Sequence, residues 1–354
     1  MTVPRDQADT VRPGEEIDPA ALGAYLKVHQ GLGSQPKIRQ FRGGHSNLTY
    51  LVTAEGYDYV LRRPPFGNQV KTAHDMTREF RILSALAPVF PPAPRPLLLC
   101  EDPSVIGAPF YLMERRHGTV LRKTVPAGMD LTPELAERLC TAMVDALARL
   151  HAIDYRAIGL EGFGKPQGYV ARQVLGWTER YHAAETEPVP AMNDAARWLA
   201  ANMPAERGAG VIHNDFKFDN VMLATDDLGR MEAVLDWEMA TIGDPLMDLG
   251  SALCYWVEPG DRAELKSVAM GPTALPGMWT RVRFAEEYAQ RTGAEVGNLV
   301  FYYVFGLFKL AVIGQQIYAR YARGFTKDER FVAMGGMVAV LAREAVAAAE
   351  RARL

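Results

Sequence analysis

The patterning of the chain changes once, near Gly118, and that change limits its fold more than any other feature. Before it, short β-type runs at 37–42, 48–54, 57–63, Leu97–Cys100 and Phe110–Glu114 are split by Gly43-Gly44, Glu55-Gly56 and proline-rich loops. Two helices interrupt this series. One opens at Asp18-Pro19, a capping residue followed by proline at the first helical position, and runs to about Gln30. The other spans about Ala73 to Leu86. After Gly118, TPELAERLCTAMVDALARLHAID (132–154) keeps a helical apolar rhythm behind a Thr-Pro start. Further helices are expected near 169–184, 193–202, 246–256, 278–291, 297–322 and 326–352. Two short strands, Val221–Leu223 and Ala233–Leu235, lie among them. The pattern predicts an α+β, two-lobed protein: a flexible tail (1–17), a small β-rich lobe (18–114), a hinge (115–119) and a large helical lobe (120–354).

A length of 354 residues suffices for two lobes without staples. The net charge of −3 predicts no attraction to nucleic acid or acidic membranes. Cys100, Cys140 and Cys254 lie far apart, which fits a reducing compartment and argues against a disulfide framework or a zinc knuckle. The first 17 residues are polar, so no signal peptide is expected. The run from Leu299 to Gly314 is short for a membrane span and contains Lys309; a buried helix is expected there. A cytoplasmic protein without nucleic-acid or membrane partners is the resulting expectation.

The densest polar chemistry sits in VIHNDFKFDN (211–220). It holds His213, Asp215, Lys217 and Asn220, and Asp236 follows at the end of the apolar run AVLD. Phosphoryl transfer needs a carboxylate to orient a hydroxyl, and carboxylate and carbonyl oxygens to hold Mg²⁺. Asp215 suits the first task, Asn220 and Asp236 the second, and Lys217 can offset charge on the moving phosphoryl group. A lone His-x-Asp in a turn usually bonds only nearby backbone. The spacing of Asp215 and Asn220, followed by Asp236, favours chemistry instead.

The first lobe supports the same reading independently. In FRGGHSNLTYLV (41–52), Gly43 and Gly44 allow close approach of backbone to a ligand, and Ser46 and Asn47 can bond phosphate oxygens. In YVLRR (59–63), Val60 and Arg62 share one face of a strand, so Arg62 can stand over the phosphates. Glu79 on the next helix can pair with Arg62. Two other glycine motifs fail: GLEGFGKP (159–166) has Pro166 where a metal-binding hydroxyl belongs, and GLGSQP (31–36) ends in proline.

The ordered set GGHSN, VLR, Glu79, LMERRHG, HNDFKFDN, LDWE and GDPLMDLG resembles the aminoglycoside phosphotransferase and choline kinase-like family. YVLRRPP and AHDMTREFRIL also resemble the kinase-like domains fused to acyl-CoA dehydrogenases in some proteins. The resemblance implies a protein-kinase-like fold with ATP as co-substrate and Mg²⁺ as cofactor. It implies Asp215 as catalytic base, Asn220 and Asp236 as metal ligands, and His213 as a brace for the loop. Met113 would line the adenine pocket, with the backbone of Glu114 and Arg116 bonding the base. Asp244 and Asp248 would hold the loop and cap a helix. Arg62 replaces the family's phosphate-binding lysine, and Asp236-Trp237-Glu238 stands where protein kinases have Asp-Phe-Gly.

Gly243-Asp244-Pro245 follows Asp236 too closely to leave an activation loop that docks a peptide, so a small hydroxyl compound is the expected acceptor. Arg172, Arg180, Arg281 and Arg283 interleave with the acids of the helical lobe, which argues against a polycationic aminoglycoside. The resemblance points instead to a hydroxyacyl compound, free or on coenzyme A, and to a functional link with an acyl-CoA dehydrogenase. Two alternatives remain open. One is a nucleotide-binding pseudokinase or interaction module, favoured by Arg62. The other is a metal-dependent phosphohydrolase, which leaves Gly43–Asn47 and the Arg62/Glu79 pair unused.

Overall fold

Glu55 and Gly56 both take positive φ, 51° and 81°, the geometry of a two-residue turn whose twist matches its flanking strands. That turn makes a tight hairpin of β2 (Leu48–Ala54) and β3 (Tyr57–Arg63), following α1 (Pro19–Gln30) and β1 (Lys37–Gln40). The computed structural model describes residues 7–41, 47–66, 75–126, 129–297, 299–326 and 329–352. Gly43, Gly44 and Ser46 of the expected phosphate loop lie outside the described residues; Asn47 lies within them. The chain divides into two compact units, 1–120 with 221–240, and 121–220 with 241–354.

In the first unit, α2 (Met76–Leu86), β4 (Pro96–Cys100) and β5 (Phe110–Glu114) follow, and the sheet runs β1-β2-β3-β5-β4 with antiparallel pairing throughout. Strand alternation sorts the side chains. Leu22 and Leu26 of α1 pack with Tyr50, Val52, Leu61, Phe110 and Leu112 in one cluster. Val60 and Arg62 face the other way, opposite Met113 and Tyr111 across the β3–β5 register. Asp18 caps α1 by accepting from Ala20 N, with Pro19 inside the first turn.

Part of the segment expected as a loose tail, Ala8 to Ile17, makes specific contacts with the sheet and core of the first unit. Asp9 exchanges two 2.8 Å backbone hydrogen bonds with Gln40, Tyr50 donates to Glu15 O at 2.7 Å, and Ile17 enters the core. Polar composition hid this because the anchoring combines backbone bonds and Gln40 side-chain bonds with only a few small or aliphatic residues, Ala8, Val11 and Ile17. The lobe boundary differs as well: β7 (Val221–Leu223) and β8 (Met231–Val234), expected within the helical lobe, belong to the first unit. Thr119 and Leu223 exchange backbone bonds of 2.8 and 2.9 Å, tying the expected hinge to β7.

The second unit contains α3 (Pro133–His151), α4 (Tyr169–Ala184), α5 (Pro190–Ala201), α6 (Pro245–Cys254), α7 (Ala263–Ser267), α8 (Arg281–Thr292), α9 (Leu299–Ala322) and α10 (Val332–Arg351). It also holds an antiparallel pair, β6 (Gly210–Ile212) and β9 (Thr241–Gly243), whose strands are too short to leave a periodicity. α9 packs against α4, α5, α6 and α10. Both α9 and α10 are long and apolar enough to cross a membrane, and α9 is buried along most of its length within the unit. Gly250 of α6 meets Gly306 of α9 at close range: a Cβ on Gly250 would lie 2.3 Å from Tyr302 O, and one on Gly306 2.5 Å from Gly250 O. The pair lets the two helices approach backbone to backbone.

Candidate active site

The loop after β6 turns on Asn214, whose φ of 65° is a conformation that asparagine tolerates better than most residues. Asp248, fully buried on α6, holds that turn from below. Its Oδ2 accepts from His213 N and its Oδ1 from Asn214 N, both at 2.7 Å. His151 Nε2 lies 3.0 Å from Oδ2 and its Nδ1 2.8 Å from Tyr288 OH. Burial works to raise the Asp248 pKa, but the bonds and charge of His151, with the His213 amide, outweigh it and hold the carboxyl below the usual range. Asp244 caps α6 by accepting from Leu246 N at 2.9 Å.

His213 is fully buried, and its Nδ1 accepts from Asp215 N at 3.2 Å. Its ring is therefore turned onto the loop's own backbone and away from solvent. Asp215 points the other way, with its side chain 16% exposed. Lys217 Nζ reaches both carboxylate oxygens, at 2.8 and 2.6 Å. Asn220 Nδ2 donates to Oδ2 at 2.6 Å and to Asp215 O at 2.8 Å. The loop residues 213–220 thus bring His213, Asp215, Lys217 and Asn220 together. Nearby Asp219 carries a buried Oδ1 with no hydrogen-bond partner, and burial raises its pKa against the opposing charges of Arg122 and Lys217.

Two residues of this cluster were not singled out for chemistry by the sequence. Tyr255, just past α6, donates to Asp215 Oδ1 at 2.6 Å, and the Lys217 ammonium lies 4.7 Å from the centre of its ring. No motif marks it. Lys309, buried within α9, donates to Asn214 O at 2.7 Å. Burial lowers its pKa, opposed by Asp215 and Asp248. Its isolation in an apolar run was the available signal, because a buried ammonium needs a partner.

The first unit carries a second charged cluster. Arg62 Nη2 donates to Asp236 Oδ1 at 2.7 Å, and Nη1 lies 3.3 Å from Glu79 Oε1. Glu238 is 3.9 Å from the same guanidinium, and Asn47 Nδ2 donates to Glu238 Oε2 at 2.8 Å. Burial would lower the Arg62 pKa, yet Glu79 and Asp236 raise it well above its ordinary value. Burial raises the Glu79 carboxyl, opposed by Arg62. The other strand arginine, Arg63, is structural: it donates to Ile106 O at 2.8 Å and stacks on Phe66.

Asp236 also has φ of 65°, and Trp237, buried against Phe90, fixes the turn that follows through Nε1 to Val234 O. Met113 is buried opposite Val60. Glu114 N already donates to Arg95 O at 2.9 Å, so a base contact at Glu114 would have to use its carbonyl. The Arg116 side chain is engaged by Glu114 at 2.7 Å and by Pro91 O.

The donor chemistry fits Mg²⁺. Asn220 spends its amide nitrogen on Asp215, leaving its carbonyl oxygen as the end that can ligate, and Asp236 is a partly exposed carboxylate. Each is placed within its own unit, Asn220 in the second and Asp236 in the first.

A model of the phosphotransferase enzyme family (APH) matches residues 37–285. Acyl-CoA dehydrogenase family member 11 of Pongo abelii is 34% identical over 352 residues, covering 96% of this chain and 44% of that protein. The chain therefore spans less than half the length of this relative. A crystal structure of a candidate aminoglycoside phosphotransferase from Ralstonia eutropha superposes with a TM-score of 0.79 at 33% identity, covering 95% of this chain and 99% of that one. An aminoglycoside phosphotransferase in ternary complex with AMP-PNP and hygromycin B shares the fold at a TM-score of 0.55 and 17% identity, covering 91% and 98% of the two chains. The architecture is thus the kinase-like one of these neighbours, with a small antiparallel sheet in one lobe and a mostly helical second lobe.

Proposed function

We propose that this chain, which belongs to the phosphotransferase enzyme family, moves the γ-phosphoryl group of ATP to a hydroxyl of a small molecule. The observation that carries this reading is the environment of Asp215: a partly exposed carboxylate gripped by Lys217 and Asn220 on a loop that Asp248 and Lys309 hold rigid. A base of this kind orients the acceptor hydroxyl and takes its proton. Lys217 places positive charge near the transferring group.

Asn220 and Asp236 are the residues that would hold Mg²⁺, which when bound screens charge on the phosphates. In this reading Arg62, with Val60, Glu79 and Asn47, serves the phosphates. Met113 and the backbone of Glu114 and Arg116 serve the adenine.

For the acceptor, we favour a hydroxyacyl compound, free or carried on coenzyme A, over an aminoglycoside. Support comes from the relative named as an acyl-CoA dehydrogenase family member, and a functional link to such a dehydrogenase accompanies the proposal. One observation favours a second reading, a nucleotide-binding pseudokinase: Arg62 is bonded directly to Asp236, a proposed metal ligand.

One experiment separates them. Transfer from γ-labelled Mg·ATP is measured across hydroxyacyl-CoA esters, free hydroxy acids, homoserine, choline and aminoglycosides, with Asp215→Asn as blank. Labelled hydroxyacyl product absent from the blank is the expected result. Tight ATP binding with no labelled product anywhere would favour the pseudokinase.

A further inference from the structure

A carboxylate offers about four lone-pair positions, and those of Asp215 are all taken. Oδ1 accepts from Lys217 Nζ at 2.8 Å and Tyr255 OH at 2.6 Å. Oδ2 accepts from Lys217 Nζ and Asn220 Nδ2, both at 2.6 Å. An acceptor hydroxyl that gives its proton to Asp215 must first take one of these positions.

The four bonds are unequal. Lys217 is held by full charge at both oxygens, which makes it the costliest to remove. Asn220 is clamped by a second bond to the Asp215 carbonyl. Tyr255 contributes a single neutral hydroxyl. Its ring also borders a small cleft lined by Lys217, Phe218, Trp256 and Gly271, so it is not enclosed on every side.

We propose that Tyr255 is a placeholder for the acceptor: its hydroxyl occupies the acceptor's position on Asp215 Oδ1 until the acceptor arrives, and so keeps water from being activated there. This rests on the phosphotransferase reading above. Without the placeholder, water takes the position. Its oxygen then bonds the γ-phosphorus while Asp215 accepts its proton. The bond from the γ-phosphorus to the bridging oxygen breaks, ADP leaves, inorganic phosphate forms, and the proton passes to solvent. Tyr255 is a specificity-determining residue in this account, selecting an organic hydroxyl over water.

The test needs no knowledge of the acceptor. Release of labelled phosphate from γ-labelled Mg·ATP is measured without acceptor for the full chain, Tyr255→Phe, Tyr255→Leu, Asp215→Asn and the Tyr255→Phe/Asp215→Asn double variant. Tyr255→Phe should raise the rate about tenfold, the scale on which one hydrogen bond acts. The double variant should return to the Asp215→Asn background, a reversal that a merely structural role would not produce. Tyr255→Leu should behave as Tyr255→Phe, which keeps the test open if one variant folds poorly. A rate at or below that of the unmodified chain, in a folded variant that still binds Mg·ATP, overturns the placeholder role alone. If the unmodified chain binds no Mg·ATP at all, the phosphotransferase reading fails and the placeholder role with it.

Discussion

Lys309 and Asn214 are joined by a 2.7 Å hydrogen bond from a buried ammonium to the backbone carbonyl that immediately precedes Asp215. The lysine sits in an apolar helix, so its burial costs stability, and what it supports is the loop. Lys309→Met removes the buried charge and orphans the Asn214 carbonyl, a loss of about 1–3 kcal/mol that relief of the charge offsets. A small change in thermal midpoint should therefore accompany a large fall in turnover, about tenfold or more, because Asp215 loses its register. Equal turnover in a folded variant would leave Lys309 with packing alone.

Arg62 pairs with the buried Glu79 and also holds Asp236. Removing one partner of a buried pair typically costs about 3–5 kcal/mol, because the other charge is stranded. Arg62→Ala should lower the urea midpoint accordingly, and Glu79→Gln in the same chain should restore much of the loss. Arg62→Lys should retain substantial transfer activity, whereas Arg62→Ala should raise the KM for ATP. Denaturation of the single and double variants checks the coupling directly.

The Asp248 carboxyl is held below the ordinary range, so it binds a proton less readily in the folded chain than in the unfolded one. Its contribution to stability is full above the unfolded value of about 3.9 and is lost as pH falls through the lower folded value. Urea midpoints measured from pH 6 down to pH 2.5 should show this step. Asp248→Asn should start lower and lack it, since asparagine carries no charge to protonate. An Asp248→Asn profile parallel to that of the unmodified chain would contradict the assignment.

Gly250 and Gly306 predict a purely steric effect. A methyl group at Gly250 meets the backbone of Tyr302, which cannot rotate away. Gly250→Ala should cost about 1–3 kcal/mol or more by forcing α6 from α9. Because α6 carries Asp248 and leads into Tyr255, the same variant should lose activity before it unfolds. Thermal melts paired with rate measurements test this.

How much was legible in the sequence follows from how locally each feature is encoded. Turn chemistry at Glu55-Gly56, the cap at Asp18 and the helical rhythm of α3 act within a few residues, so the β-rich and helix-rich parts could be read directly. The spacing from His213 to Asn220 is likewise local, because one turn of backbone brings those side chains together. Strand alternation placed Arg62 on the face of Tyr111 rather than that of Arg63.

Other features have no local signature. The ordering of Ala8–Ile17 depends on a strand edge some thirty residues away, and β6 and β9 are too short to show a period. The sequence by itself determined the two kinds of lobe, the loop around Asp215 and the strand face of Arg62. Only the tertiary structure decided that Lys309 and Tyr255 converge on that loop, that Asp248 meets it at the His213 and Asn214 amides, and that Arg62 rests on Asp236. Those contacts join residues distant along the chain, and their positions are set by how helices and strands pack, which no short window of sequence contains.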